Sequence, residues 1–139
     1  GILFDQAHVV LAAQPLLERA GVAERCRIEG GSFFTSVPRG ADAYVLRSVV
    51  HDWDDTQAVQ ILRTVAQALA GPARMLLVER VIAPPNEGRD AKFSDLNMLV
   101  SPGGRERTLD EFVALIEEAG LRLRSVADAG GFSVLEAGR

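Results

Sequence analysis

Few side chains in this 139-residue sequence have types that could move a proton or hold a polar ligand, and they fall near the ends of apolar runs. His51, followed by Asp52, is the best candidate for general acid/base work, because an imidazole titrates near neutral pH. Taken alone, a His-Asp pair is more often the entry turn of a helix. Glu79 is more informative. It closes the apolar run Met75-Leu76-Leu77-Val78, and a carboxylate in a buried strand is costly unless paired or hydrogen-bonded. Arg80 does not explain it, since adjacent strand residues face opposite ways. Glu106, in Gly103-Gly104-Arg105-Glu106-Arg107, could orient a histidine or be a solvated loop charge. Asp5 ends an apolar run, and Ser32 follows a weak strand, Cys26-Arg27-Ile28-Glu29, broken by Gly30-Gly31. The single cysteine, Cys26, excludes an internal disulfide, and two histidines, His8 and His51, are too few for a histidine-rich zinc site. A metal-phosphohydrolase His-Asp pair would need more histidines and an all-helical chain. No G-x-G-x-x-G follows a strand, no phosphate loop occurs, and no serine has nucleophile-elbow context.

The elements that must position these groups alternate. Apolar runs predict strands at 1–5, 26–29, 43–46 (extending towards Val49), 74–82, 121–126 and 132–137. Between them, 7–13 and 16–20 read as short helices, with Pro15 at the start of the second and Gly21 stopping it. A long helix is expected over 56–70, capped by Asp54 or Asp55, with Ala58, Ile61, Leu62, Val65, Ala66 and Leu69 as one buried stripe. Another spans 90–100, broken by Pro102-Gly103-Gly104. A third begins at the capping box Thr108-Leu109-Asp110-Glu111 and stops at Gly120. Strands alternating with helices imply an α/β layered domain with a mostly parallel sheet and a C-terminal antiparallel strand. Ligands of such sheets bind beyond the carboxyl ends of the strands, where Asp5, Ser32, His51-Asp52 and Glu79 would gather.

Composition narrows the function classes. The chain is 47% hydrophobic and 24% charged, as one globular domain or part of one. Its net charge of −4 argues against a nucleic-acid or anionic-membrane partner. No apolar run approaches the ~20 residues of a membrane span. The expected location is cytoplasmic.

Four stretches together carry a resemblance. They are Phe4-Asp5-Gln6-Ala7-His8-Val9, Gly31-Ser32-Phe33-Phe34, Val50-His51-Asp52-Trp53-Asp54-Asp55, and Asp95-Leu96-Asn97-Met98-Leu99 running on to Gly103-Gly104-Arg105-Glu106-Arg107-Thr108. In order and spacing they resemble the C-terminal domain of small-molecule O-methyltransferases, the family of plant caffeate and flavonoid enzymes and actinobacterial antibiotic-tailoring enzymes. The resemblance implies a Rossmann-like class I methyltransferase sheet and S-adenosylmethionine as cofactor, with S-adenosylhomocysteine as product. It implies a hydroxylated small-molecule acceptor, phenolic or of polyketide type, a homodimer, and no need of a metal. It also implies roles. His51 would be the base that deprotonates the acceptor hydroxyl, flanked by Glu79 and Glu106. Asp5, Gln6, Ser32, Phe33 and Arg47 would lie at the cofactor. Asp52, Trp53, Asn97 and Met98 would shape the acceptor pocket.

The departures are specific. Family members carry a strand and a glycine-rich loop, D-x-G-G-G-x-G, before the position of Gly1, and an N-terminal helical domain before that. Ser32 stands where an aspartate is usual, and Arg47 where a lysine is. The expectation for residues 1–139 is therefore a partial S-adenosylmethionine-binding domain whose sheet lacks its first strand. Such a chain is a fragment, or it completes its sheet with another chain. The alternative is a non-catalytic, methyltransferase-like module that self-associates or binds a partner.

Overall fold

The computed structural model of the chain describes residues 1–101 and 103–139. The expected alternation is present: β1 (Ile2–Asp5), α1 (Ala7–Val10), α2 (Gln14–Arg19), β2 (Arg27–Gly30), β3 (Ala43–Arg47), α3 (Asp55–Ala68), β4 (Arg74–Glu79), α4 (Arg89–Val100), α5 (Leu109–Glu118), β5 (Arg122–Asp128) and β6 (Ser133–Gly138). Short 3₁₀ turns occupy Ala23–Arg25 and Val50–Asp52. Pro102, expected to break α4, lies outside the described residues. Among the described residues, no helix is long and apolar enough to cross a membrane.

The strands form two hydrogen-bonded groups. β1 and β2 pair in parallel, from Ile2 opposite Arg27 to Asp5 opposite Gly30. The second sheet has the order β3-β4-β6-β5. Within it β3 and β4 are parallel, while β6 runs antiparallel to both of its neighbours. Gly130 and Gly131, both at positive φ, lie in the short β5–β6 connection. Among the described residues the edges of β1 and β3 that border a cavity of about 650 Å³ are unpaired.

The core lies on one face of the larger sheet. Tyr44, Leu46, Met75, Leu77, Leu135 and Ala137 pack there against the stripe of α3, Ala58 to Leu69, and against Phe112, Leu115 and Ile116 of α5. Asp54 caps α3 by accepting from the Gln57 N–H at 2.8 Å. The Thr108–Glu111 capping box starts α5. The other face is only partly covered, with Val45 62% exposed.

Two strand ends fall short of expectation, and both shape the site. β3 ends at Arg47 because Ser48 adopts φ 52°, the left-handed region that a non-glycine residue enters at a cost. The chain therefore turns at once into the Val50–Asp52 turn. β4 stops at Glu79, but its line continues as a parallel bridge between Val81 and Arg107, and the Ile82 N–H donates to the Arg107 carbonyl at 2.9 Å. That bridge lays segment 105–107 beside the end of β4.

Candidate active site

Three carboxylates surround one imidazole. Burial of the strand leaves Glu79 without solvent, and its Oε1 accepts from the Val49 N–H at 3.0 Å and the Val50 N–H at 2.8 Å. The turn that carries His51 is thus capped by the acid at the end of the neighbouring strand. Glu106 enters from the loop after α4. Its Oε1 lies 3.2 Å from His51 Nδ1, and Glu79 Oε2 lies 3.6 Å from the same nitrogen. Because an ionised carboxylate only accepts, Nδ1 is the nitrogen that carries the proton when the ring is neutral. Nε2 is left as the basic nitrogen, with Asp52 Oδ1 at 3.5 Å.

The electrostatics separate the roles. The Glu106 hydrogen bond raises the His51 pKa above its ordinary 6.5, against the effect of burial, and Glu79, Glu106 and Asp52 add to the rise by their charges. Burial pushes Glu79 up, outweighing His51 and the two backbone N–H groups. For Glu106 burial works the same way, but hydrogen bonds from His51 and Ser94, with the charges of His51 and Arg80, hold its carboxyl below the usual range. Glu106 therefore ionises more readily than Glu79, and it is the acid within hydrogen-bond distance of the ring.

The loop holding Glu106 is pressed onto the His51 turn. The Arg105 N–H donates to the His51 carbonyl at 2.8 Å. A Cβ on Gly104 would stand 2.0 Å from that same carbonyl oxygen, so only glycine allows the approach. Arg107 is fully buried and aims its guanidinium at the turn from the side. It donates to the Val50 carbonyl at 3.0 Å and the Trp53 carbonyl at 2.8 Å, and forks onto Asp55 Oδ1 through Nε and Nη2. From α4, the Asp95 carboxylate accepts the Glu106 N–H at 2.9 Å, and the Ser94 hydroxyl donates to Glu106 Oε1 at 2.6 Å.

The remaining predicted residues divide. Asp5 and Phe33 line the 650 Å³ cavity together, and among the described residues the Asp5 carboxylate accepts one hydrogen bond, from the adjacent Gln6 N–H. An acid with free lone pairs beside an aromatic ring suits a nucleoside, whose ribose diol donates and whose base stacks. Gln6 is exposed, and its carbonyl starts α1 by accepting from the Val9 and Val10 N–H groups. Ser32 is exposed too, its Oγ accepting from the Phe34 N–H at 3.3 Å in a local turn. Arg47 does not line the cavity. Its guanidinium lies 5.4 Å from the Phe132 ring centroid, with Arg80 on the same ring. Trp53 packs edge-on against Phe33 and Phe34, at 6.1 and 4.7 Å between centroids, which ties the histidine turn to the cavity wall. Asn97 and Met98 sit on α4, exposed and half-buried respectively.

Sequence reasoning missed Ser94, Asp95 and Arg107 as site residues. Arg107 had one available signal, its place in the Gly103–Thr108 motif.

Comparison with known proteins assigns the chain to a family. The sequence profile of the O-methyltransferase domain matches residues 1–122. The chain belongs to the O-methyltransferase domain family. This O-methyltransferase-family chain is 44% identical over 138 residues to the phenazine O-methyltransferase PhzM of Lysobacter antibioticus, covering 99% of the chain and 40% of that protein. It is 43% identical to the O-demethylpuromycin-O-methyltransferase of Streptomyces alboniger, covering 99% of the chain and 38% of the relative. Among solved structures, the O-methyltransferase NcsB1 from neocarzinostatin biosynthesis superposes with a TM-score of 0.88 at 36% identity, covering 99% of the chain and 41% of NcsB1. That structure is a complex with S-adenosylhomocysteine and 1,4-dihydroxy-2-naphthoic acid. The chain spans about 40% of the length of the relatives it matches.

Proposed function

We propose that the chain forms the base-bearing part of an S-adenosylmethionine-dependent O-methyltransferase acting on a hydroxyl of a phenolic or polyketide-type small molecule. The observation that carries this is His51: Nδ1 is held by the Glu106 carboxylate, and Nε2 is left to accept a proton. When bound, S-adenosylmethionine supplies an electrophilic methyl group on a sulfonium sulfur. Asp5 would receive its ribose hydroxyls and Phe33 its adenine, in the cavity they share. Gln6, Ser32 and Arg47 remain cofactor-side candidates by resemblance, and Asp52, Trp53, Asn97 and Met98 acceptor-side ones.

The work of the protein is proton transfer and alignment. A free phenol has a pKa of about 10, so removing its proton near neutral pH is worth catalysing. His51 Nε2 takes that proton, and the imidazolium that forms is stabilised at Nδ1 by Glu106 and at longer range by Glu79. Capping of the turn by Glu79 and clamping by Arg107 keep the ring in place, so little reorganisation accompanies the transfer. By resemblance to the family, the reading includes a cytoplasmic homodimer.

A second reading rests on the cavity between β1 and β3. Two unpaired strand edges invite a further strand, from another stretch of chain or a second copy. On that reading residues 1–139 are a partial domain, or a module that self-associates. Calorimetric titration with S-adenosylhomocysteine separates the two. Micromolar binding that Asp5→Ala weakens supports the enzymatic reading. A folded sample that does not bind means that the glycine-rich loop is indispensable and the site functional only in a longer chain, whereas a mass in solution of two chains favours the associating module.

A further inference from the structure

We infer that Ser94 is a positioning residue of the base: its hydroxyl fixes the Glu106 carboxylate at His51 and makes the seating of α4 a condition of proton transfer. The inference rests on the reading of His51 as the base.

Glu106 is the acid within hydrogen-bond distance of Nδ1, so the direction of its carboxylate sets both the ring's tautomer and its basicity. What holds that carboxylate is sparse. Oε2 is buried with no hydrogen-bond partner among the described residues. Oε1 receives two partners, the imidazole at 3.2 Å and the Ser94 hydroxyl at 2.6 Å. Ser94 is thus the carboxylate's anchor other than the base itself. The Asp95 bond, on the Glu106 N–H, fixes the backbone but leaves the side chain free to turn.

The anchor comes from a loosely seated element. α4 buries no residue completely and leaves Phe93, Leu96, Leu99 and Val100 exposed. Its polar ties are the Ser94 and Asp95 bonds and the donation of Lys92 Nζ to the Pro84 and Glu87 carbonyls. Ser94 also shares a helix face with Asn97 and Met98, three and four residues further on. An acceptor that packs on Asn97 and Met98 therefore bears on the same helix face that already holds the Ser94 hydroxyl on Glu106.

The test is a histidine NMR titration, which needs neither cofactor nor acceptor. The chain has two histidines, and His8→Gln identifies the resonance of His51. The charged groups facing His51 are Asp52 on its own turn, Glu79 on β4 and Glu106 on the loop, with Arg80 acting on Glu106. Ser94→Ala replaces none of these groups and removes one hydrogen bond, the one to Glu106 Oε1. The variant is expected to lower the His51 midpoint by about half a pH unit or more, roughly threefold in proton affinity, with His8 unmoved. Ser94→Thr, which keeps a hydroxyl, is expected to restore it. In the full-length protein, with S-adenosylmethionine and 1,4-dihydroxy-2-naphthoic acid as probe, kcat should fall about tenfold at unchanged KM, the size of one charge-assisted hydrogen bond. An unmoved midpoint in Ser94→Ala, or a threonine variant no better than alanine, overturns the inference. If the midpoint responds as expected but no methyl is transferred by the parent protein, Ser94 keeps its positioning role and the O-methyl transfer reading fails.

Discussion

Replacing Gly104 by alanine would test how tightly the two halves of the site are fitted together. A Cβ there stands 2.0 Å from the His51 carbonyl oxygen and 2.7 and 2.8 Å from Asp52 C and Cα, all of them backbone atoms. Non-bonded carbons do not approach an oxygen closer than about 3 Å, so loop and turn must part by about 1 Å. The distance from His51 Nδ1 to Glu106 Oε1 is 3.2 Å, and opening it by that amount breaks the bond. A misplacement of about 1 Å at a reacting group costs on the order of 100-fold in rate. The overpacking itself costs about 1–3 kcal/mol of stability, which leaves a domain with an ordinary margin folded. The assay is steady-state methyl transfer beside calorimetric binding of S-adenosylhomocysteine and thermal unfolding. The expected pattern is kcat down by about two orders of magnitude, cofactor affinity kept and the melting temperature lowered by several degrees. A variant with kcat within about threefold of the parent would refute the claim that the loop's contact with the turn positions the base.

Other consequences are as direct. Glu106 raises the His51 pKa above 6.5, so a base that must be neutral becomes competent only as pH rises through that higher value. In Glu106→Gln the acid limb of kcat/KM should move to lower pH while the plateau falls, as a pH–rate profile would show. The same raised pKa gives His51 a stabilising contribution present below 6.5 and lost as pH rises through the folded-state value, measurable by urea unfolding across that range. Arg107→Met takes its donor from the Trp53 carbonyl and leaves the Val50 carbonyl with the Trp53 N–H at 3.3 Å, so chemical denaturation should read a loss of about 1–3 kcal/mol. His51, Glu79 and Glu106 offer one donor atom each within 4.8 Å, a set that could take a cation. Because the mechanism needs Nδ1 bonded to Glu106, dialysis against EDTA should leave the rate unchanged; a rate restored only by added zinc would point to a metal enzyme.

The alternation of elements was legible because it depends on local signals. Asp54, the α3 stripe, the Thr108 capping box and the Gly130-Gly131 connection each act within a few residues, and each lies where those signals put it. Strand ends were less legible. Ser48 leaves the β region for the left-handed one although nothing in Arg47-Ser48-Val49 asks for a turn. The payoff is non-local: the turn delivers the Val49 and Val50 N–H groups to Glu79. The same limit applies to the site. Glu79 could be singled out because a buried carboxylate demands a partner, but its partners are backbone groups thirty and twenty-nine residues away. Arg107 reads as a solvated loop charge until three elements close around it. Ser94 reads as a helix-surface serine until the loop after α4 folds back. Resemblance to a family supplied the combination of His51, Glu79 and Glu106, and the structure supplied the distances.

The central claim is that His51 Nε2 is the base of O-methyl transfer. Its most direct test is transfer of labelled methyl from S-adenosylmethionine to a panel of hydroxylated aromatic acceptors, compared between the protein and its His51→Ala variant. The account predicts a rate lowered by about 100-fold or more, with S-adenosylhomocysteine bound as tightly as before. A variant that transfers methyl at the parental rate would contradict it.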